Sequence, residues 1–165
     1  MSRTAADFSL GLARELEGFK RELALFPDEE SVWKTVPGIT NSAGNLALHL
    51  AGNLQFFIGA VLGHTGYVRN RDLEFGQKSG ARAAIYAELD AALAVVRTVL
   101  PDVSDATLDQ DFPEAVMGTK FRTGTFLVHL VSHAGFHLGQ AGYLRRALTG
   151  DATSSGPIPL GPLAR

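Results

Sequence analysis

The sequence predicts an all-α fold, a four-helix bundle with long connections. Three observations predict it. Four segments of helical length repeat apolar residues at steps of three and four. No segment alternates apolar and polar residues as a half-buried strand does. The prolines fall between the periodic segments and never within them.

The first helix is expected over Thr4–Phe26, where Phe8, Leu12, Leu16, Phe19, Leu23 and Phe26 share one face and Pro27 ends the run. Asp28–Trp33 has room for one short helical turn before Pro37-Gly38 breaks the chain again. The second helix is expected over Ser42–Leu62, with Asn41 as its N-cap and Gly63 and His64 at its exit. The stretch GYVRNRDLEFGQKSG that follows reads as a polar loop. The third helix is expected over Ala81–Leu100, on a stripe of Ile85, Leu89, Ala92, Val96 and Val99 closed by Pro101. Asp102–Arg122 reads as a second long connection without an element of its own. The fourth helix is expected over Thr123–Leu148, with Gly150 as its stop. Helices of this length with one apolar face each pack as a four-helix bundle. Residues 1–150 form one domain in this reading, and 151–165, rich in Gly, Pro and Ser, form an extended tail.

Composition narrows the function. Apolar residues make up 45% of the 165 positions and charged residues 19%, a balance that supports a packed core. A net charge of −2 leaves no cationic footprint, so nucleic acid is not an expected partner. No stretch reads as a membrane span; the fourth helix comes nearest, but it carries three histidines and ends in Arg145 and Arg146. The start has no apolar signal core, and a cytoplasmic location is expected. The absence of cysteine excludes disulfides, thiolate ligands, c-type haem attachment and a cysteine nucleophile.

Chemistry is carried by polar stripes on otherwise apolar helices. Asn41, Asn45, His49 and Asn53 follow one another at steps of four in the second helix. Thr125, His129, His133 and His137 do the same in the fourth, with Gln140 three residues on. A helix apolar on nearly all sides is buried, and an unpaired polar group there costs roughly 1–3 kcal/mol. Facing stripes satisfy each other, either as a hydrogen-bonded polar core or as a metal site. Two histidines one turn apart can meet one ion, and His49 supplies a third nitrogen from across the core. His129 and His137 lie about 12 Å apart along the axis, too far for one ion. His133 therefore pairs with one of them, and spacing alone does not choose which. His64, about 22 Å along the axis from His49, reads as a surface or capping residue. Asn45 and Asn53 are candidates to orient His49 or bond a substrate, and Gln140 to hold the outer nitrogen of a ligand imidazole. Asp72 and Glu74 read first as a solvated turn or cap, and otherwise as an acid or base at the mouth of the site; Arg69 and Arg71 read first as ordinary exposed loop residues, and otherwise as a seat for an anionic cosubstrate.

Three segments, NSAGNLALHLAGNLQFFIGAVLG, RDLEF and HLVSHAGFHLGQAGYL, resemble the DinB/YfiT-like family from about Leu12 to Leu148. The resemblance implies a four-helix bundle, commonly a homodimer, with a metal held by three histidines. By matching positions these are His49, His133 and His137, which leaves His129 a supporting role. Leu138 stands where many members carry Arg in an HRGQ run, so a substrate contact by that Arg is not expected here. Some relatives are isomerases or S-transferases that use low-molecular-weight thiols. The implied function is a divalent-metal-dependent transferase or hydrolase acting on a small-molecule substrate; the alternative is a non-catalytic metal- or ligand-binding bundle. Three imidazoles without a carboxylate suit zinc or nickel first, with iron a further candidate. The paired Glu-x-x-His motifs of a di-iron site are absent.

Overall fold

The computed structural model describes residues 2–156 and 159–163, and among them it contains six α-helices and no extended strand. Four are long: α1 (Arg3–Ala24), α2 (Ala43–Leu54), α4 (Arg82–Val99) and α6 (Thr123–Thr149). Two are short: α3 (Arg71–Gly76) and α5 (Asp105–Asp109). The long helices form the expected bundle.

Its wiring follows from the contacts. α1 packs on α4 and α6, and α2 packs on the same two, so α1 and α2 occupy opposite corners. Glu17 meets Arg97 and Lys20 meets Asp90, so α4 runs against α1. Gln55 bonds Glu88, and Gly59 and Gly63 approach Val95 and Val99, so α2 runs with α4. Phe57 touches Phe126 while His49 faces His133, so α6 runs against α2. The order is up, down, down, up. Residues 25–42 make the diagonal crossing from α1 to α2 and include a short helical turn at Ser31–Trp33; residues 100–122 make the other diagonal, from α4 to α6.

α1 starts at Ser2, whose hydroxyl accepts from Ala5 N at 3.1 Å, and buries Leu12, Leu16, Phe19 and Leu23. α2 starts at Ser42, not at the expected cap Asn41. Ser42 Oγ accepts from Asn45 N at 3.1 Å, and Asn45 Oδ1 accepts from Ser42 N at 3.3 Å. That reciprocal box satisfies two free amides, where Asn41 would satisfy one. Beyond Leu54 the helix widens into five-residue spacing over Gln55–Leu62, ending with Gly63 N on Ile58 O. Among the described residues Ala43–Leu62 is the one helix long and apolar enough to cross a membrane, so the fourth predicted helix is not the nearest candidate. It is an inner helix, mostly buried in the bundle.

Both stretches expected to be loops hold structure. α3 forms inside the polar segment after α2, capped by Asn70, whose side chain accepts from Leu73 N. In the later connection, α5 is followed by a small hairpin in which Phe112 N bonds Phe121 O and Thr123 N bonds Gln110 O. Its tip, Met117-Gly118, has φ of 52° and 79°, the double left-handed geometry of a type I′ turn. The hairpin delivers Phe112 to an aromatic cluster with Phe57 and Phe126 that closes one end of the core.

Arg145, read from sequence as a charge ending the fourth helix, is fully buried. Its Nε donates to Glu22 Oε1 at 2.6 Å, and its other nitrogens donate to the carbonyls of Asp151 and Thr153. This pair joins α6 to α1 and holds the root of the tail. The tail is irregular over 151–156 and makes one tight turn at Gly161–Leu163 against α1. The expectation of an extended tail falls outside the described residues at 157, 158, 164 and 165.

Candidate metal centre

α2 and α6 carry the three histidines. Their antiparallel pairing sets His49 opposite His133, and His137 follows one turn later on the same face of α6. His133 Nε2 lies 3.3 Å from His49 Nε2 and 2.9 Å from His137 Nε2. One ring nitrogen of each lies within 4.8 Å of the others. The ring planes are nearly perpendicular in every pair, at 82°, 85° and 80°. Three rings thus present their edges to one point.

The outer nitrogens show which edge carries a lone pair. His49 Nδ1 lies 3.0 Å from Glu74 Oε2, and His137 Nδ1 lies 2.7 Å from Gln140 Oε1. Both partners are acceptors, so each Nδ1 carries its proton and each Nε2 turns a lone pair inward. Arg69 Nη2 also lies 3.1 Å from His49 Nδ1. Two donors cannot bond each other; the approach arises because both donate to Glu74 Oε2, Arg69 at 2.7 Å. His133 Nδ1 is buried with no hydrogen-bond partner among the described residues. Burial first, and then the positive charge of His137, His49, His129 and Arg69, pushes His133 down to about 3 from 6.5. Burial, with His49, also lowers His137, against the pull of its Gln140 bond. His133 is therefore unprotonated at neutral pH, and His137 is biased the same way.

A divalent ion fits this donor set. Nitrogens bound at about 2.0–2.1 Å on a tetrahedral ion stand roughly 3.3–3.4 Å apart, which the His49–His133 pair matches at 3.3 Å and the His133–His137 pair, at 2.9 Å, reaches by a small outward shift. Without a cation, two inward lone pairs would face one His133 nitrogen.

His49 is held from behind by a strap that the sequence did not reveal. Glu74 is buried, on α3, contrary to the expected solvated turn. Arg69 grips its carboxylate with two bonds, Nε to Oε1 and Nη2 to Oε2, each 2.7 Å. Arg69 is thus a largely covered structural cation and not an ordinary exposed one. Burial by itself would raise the Glu74 pKa, but the Arg69 and His49 bonds and charges outweigh it and the carboxyl is lowered. Asn45 anchors the strap, donating to the carbonyls of Glu74 at 2.9 Å and Gln77 at 2.8 Å. A Cβ at Gly52 would collide with Glu74 Oε1, so the glycine of HLAGNL makes room for the carboxylate. Two signals pointed to the strap: that glycine, one turn from His49, and the Asn70 cap in the RNRDLE run.

The supporting expectations divide. Gln140 holds the outer nitrogen of His137, as expected. Asn53 does not orient His49, whose outer nitrogen is taken by Glu74; Asn53 Oδ1 is buried without a partner among the described residues. Asn45 acts on His49 only through the strap. His129 is exposed and stacks on His133 with ring centres 5.6 Å apart, outside the cluster. His64 is exposed at the exit of the second helix, with φ of 51°. Asp72 is exposed in the first turn of α3, and Arg71 stacks over Phe75 at 5.0 Å.

No curated protein matches the chain. Among solved structures, the conserved protein of locus from Enterococcus faecalis has TM-score 0.73 with it at 20% identity, over 92% of this chain and 99% of that one. At that identity the likeness shows the fold. The sequence profile of the DinB superfamily matches residues 12–141, a span that runs from α1 through His49 and the strap to His133 and His137. By that match, which takes in most of its length, the chain belongs to the DinB superfamily.

Proposed function

We propose that the protein holds one divalent metal ion on His49, His133 and His137 and is a metal-dependent enzyme acting on a small-molecule substrate. The observation that carries this is the convergence of three imidazole edges, two of them with their protons fixed on the outer nitrogens by Glu74 and Gln140. Three protein ligands leave a position open, the pattern of catalytic rather than structural sites. Zinc or nickel suits the donor set best, with iron next. Such an ion supplies a Lewis acid that favours ionisation of a water or thiol reaching the open position. The chain contributes the rest: Glu74 and Arg69 fix His49, Gln140 fixes His137, and burial keeps His133 unprotonated.

The reaction in this reading is a transferase step using a low-molecular-weight thiol, or a hydrolysis. With no cysteine in the chain, any sulfur nucleophile arrives as a cosubstrate. A cytoplasmic homodimer completes the proposal. The test is metal content by mass spectrometry on untagged protein purified without nickel columns or chelators, beside His133→Ala. Near-stoichiometric metal in the wild type and its loss in the variant is the expected result. A wild type that takes up no zinc, nickel or iron on titration would leave the histidines as a polar core.

A further inference from the structure

A groove runs from the histidine cluster along the outer face of α6. Its volume is about 560 Å³, within the range of small-molecule sites. One wall is α6, where His137, Gln140, Leu144 and Ala147 succeed one another at steps of three and four. The span from His137 to Ala147 is about 15 Å. Leu46 of α2 contributes to the other wall, together with the loop that crosses from α1. That loop is shaped for the purpose. Ile39 N bonds Val36 O at 3.0 Å, and Gly38 has φ of 84°, a type II turn with Pro37 at its first corner. The turn fixes Val36 and Ile39 as apolar lips, and Ile39 remains 47% exposed.

The chemistry of the lining is one-sided. Among the described residues no Lys, Arg, Asp or Glu lines the groove. Its polar side chains are Thr40, Asn41 and Tyr143 at the sides, and His137 and Gln140 where it meets the cluster. A charged ligand placed there would lose its hydration with no counter-charge to replace it. An apolar one would cover side chains that otherwise face water.

We propose that the groove seats the uncharged, apolar body of a substrate, extended along α6, whose reactive head meets the histidine cluster at His137. The apolar reactant and an anionic thiol cosubstrate therefore do not share this seat. The position of the head rests on the metal reading above; the seat for the body does not.

The test uses the full chain in zinc-free and zinc-loaded forms, followed by NMR of the Ile and Leu methyl groups. The probes are ethanethiol, 1-butanethiol, 1-hexanethiol, 6-mercaptohexanoate and the head-less 1-hexanol. With zinc, affinity is expected to rise by up to about 4-fold for each methylene that enters the groove. The carboxylate probe is expected to bind at least about 10-fold more weakly than 1-hexanethiol, the size of a modest desolvation penalty. Ile39→Asp, and Ala147→Trp at an exposed position that fills the groove, are expected to abolish the chain-length increment. In zinc-free protein, 1-hexanol is expected to shift the Ile39 and Leu144 methyls. If the protein takes no zinc but 1-hexanol still shifts those methyls, the metal reading alone has failed and the seat stands. Equal affinities for ethanethiol and 1-hexanethiol, or an increment that survives both variants, would overturn the proposal. So would a homodimer that covers the groove, seen as light-scattering mass that Ile39→Asp halves together with silence towards 1-hexanol.

Discussion

Replacing Glu74 by Gln isolates the role of the strap, because shape is kept and charge is removed. Glu74 now accepts three bonds, two from Arg69 at 2.7 Å and one from His49 Nδ1 at 3.0 Å. A Gln side chain must turn its NH2 group towards one of those donors. Facing Arg69, it sets donor against donor and leaves a largely covered guanidinium with half its partner. Facing His49, it forces the imidazole proton from Nδ1 to Nε2 and removes the lone pair aimed into the cluster. Either outcome loosens one of three ligands. Losses of outer partners of this kind weaken metal binding by about 10- to 100-fold, or about 1.4–2.7 kcal/mol. The assay is zinc competition against a chromophoric chelator, with the His49 tautomer read from ring-nitrogen chemical shifts. An affinity within about 2-fold of wild type, less than about 0.5 kcal/mol, with the His49 proton still on Nδ1, would refute the argument that the strap positions this ligand.

Three further outcomes follow from the geometry. Gly52→Ala should weaken zinc binding in the same direction as Glu74→Gln, since the new methyl displaces the carboxylate; unchanged affinity in the same chelator assay would show that Glu74 tolerates the shift. Arg145→Met should destabilise the fold by about 3–5 kcal/mol by leaving Glu22 buried and unpaired. Glu22→Met with Arg145→Met should recover much of that in urea unfolding, and a single-variant loss below about 1 kcal/mol would show that Glu22 finds water. Zinc-free protein should lose stability as pH falls from about 6.5 towards 3, because unfolded His133 takes a proton in that window and folded His133 does not. The lowered carboxyl of Glu74 adds to the loss at the acid end, as its bonds fail when it is protonated. A urea midpoint level between about pH 7 and about pH 5 would contradict the burial of His133.

Much of the architecture was legible in the sequence because it rests on periodicity. The four long helices lie within a few residues of their expected bounds, and His49, His133 and His137 meet as the facing stripes required. What stayed hidden depends on contacts between distant segments. Glu74 and Arg69 look like solvated loop residues until Asn45, on another helix, ties down the strap that buries them. Arg145 sits beside Arg146 in a run that reads as a charged helix end, and only the neighbouring Glu22 and the returning tail make it an internal residue. Ser42 displaced Asn41 as a cap because the residue three positions on completes the box, a pairing visible in sequence but weaker there than the four-step asparagine stripe. The diagonal crossing between α1 and α2 had no signal in composition, since nothing in residues 25–42 states which corner comes next.

The three histidines come from two helices only, and His49 is 84 residues from His133 along the chain. α1 and α4 contribute nothing to the cluster beyond a frame. An ion bound there would act as a staple closing a long loop, so its binding energy would count towards holding the whole molecule folded rather than towards local order. Supply of the ion would then set how long the protein survives degradation as well as how fast it works. A cell starved of metal would then show the shortage as a falling amount of this chain as well.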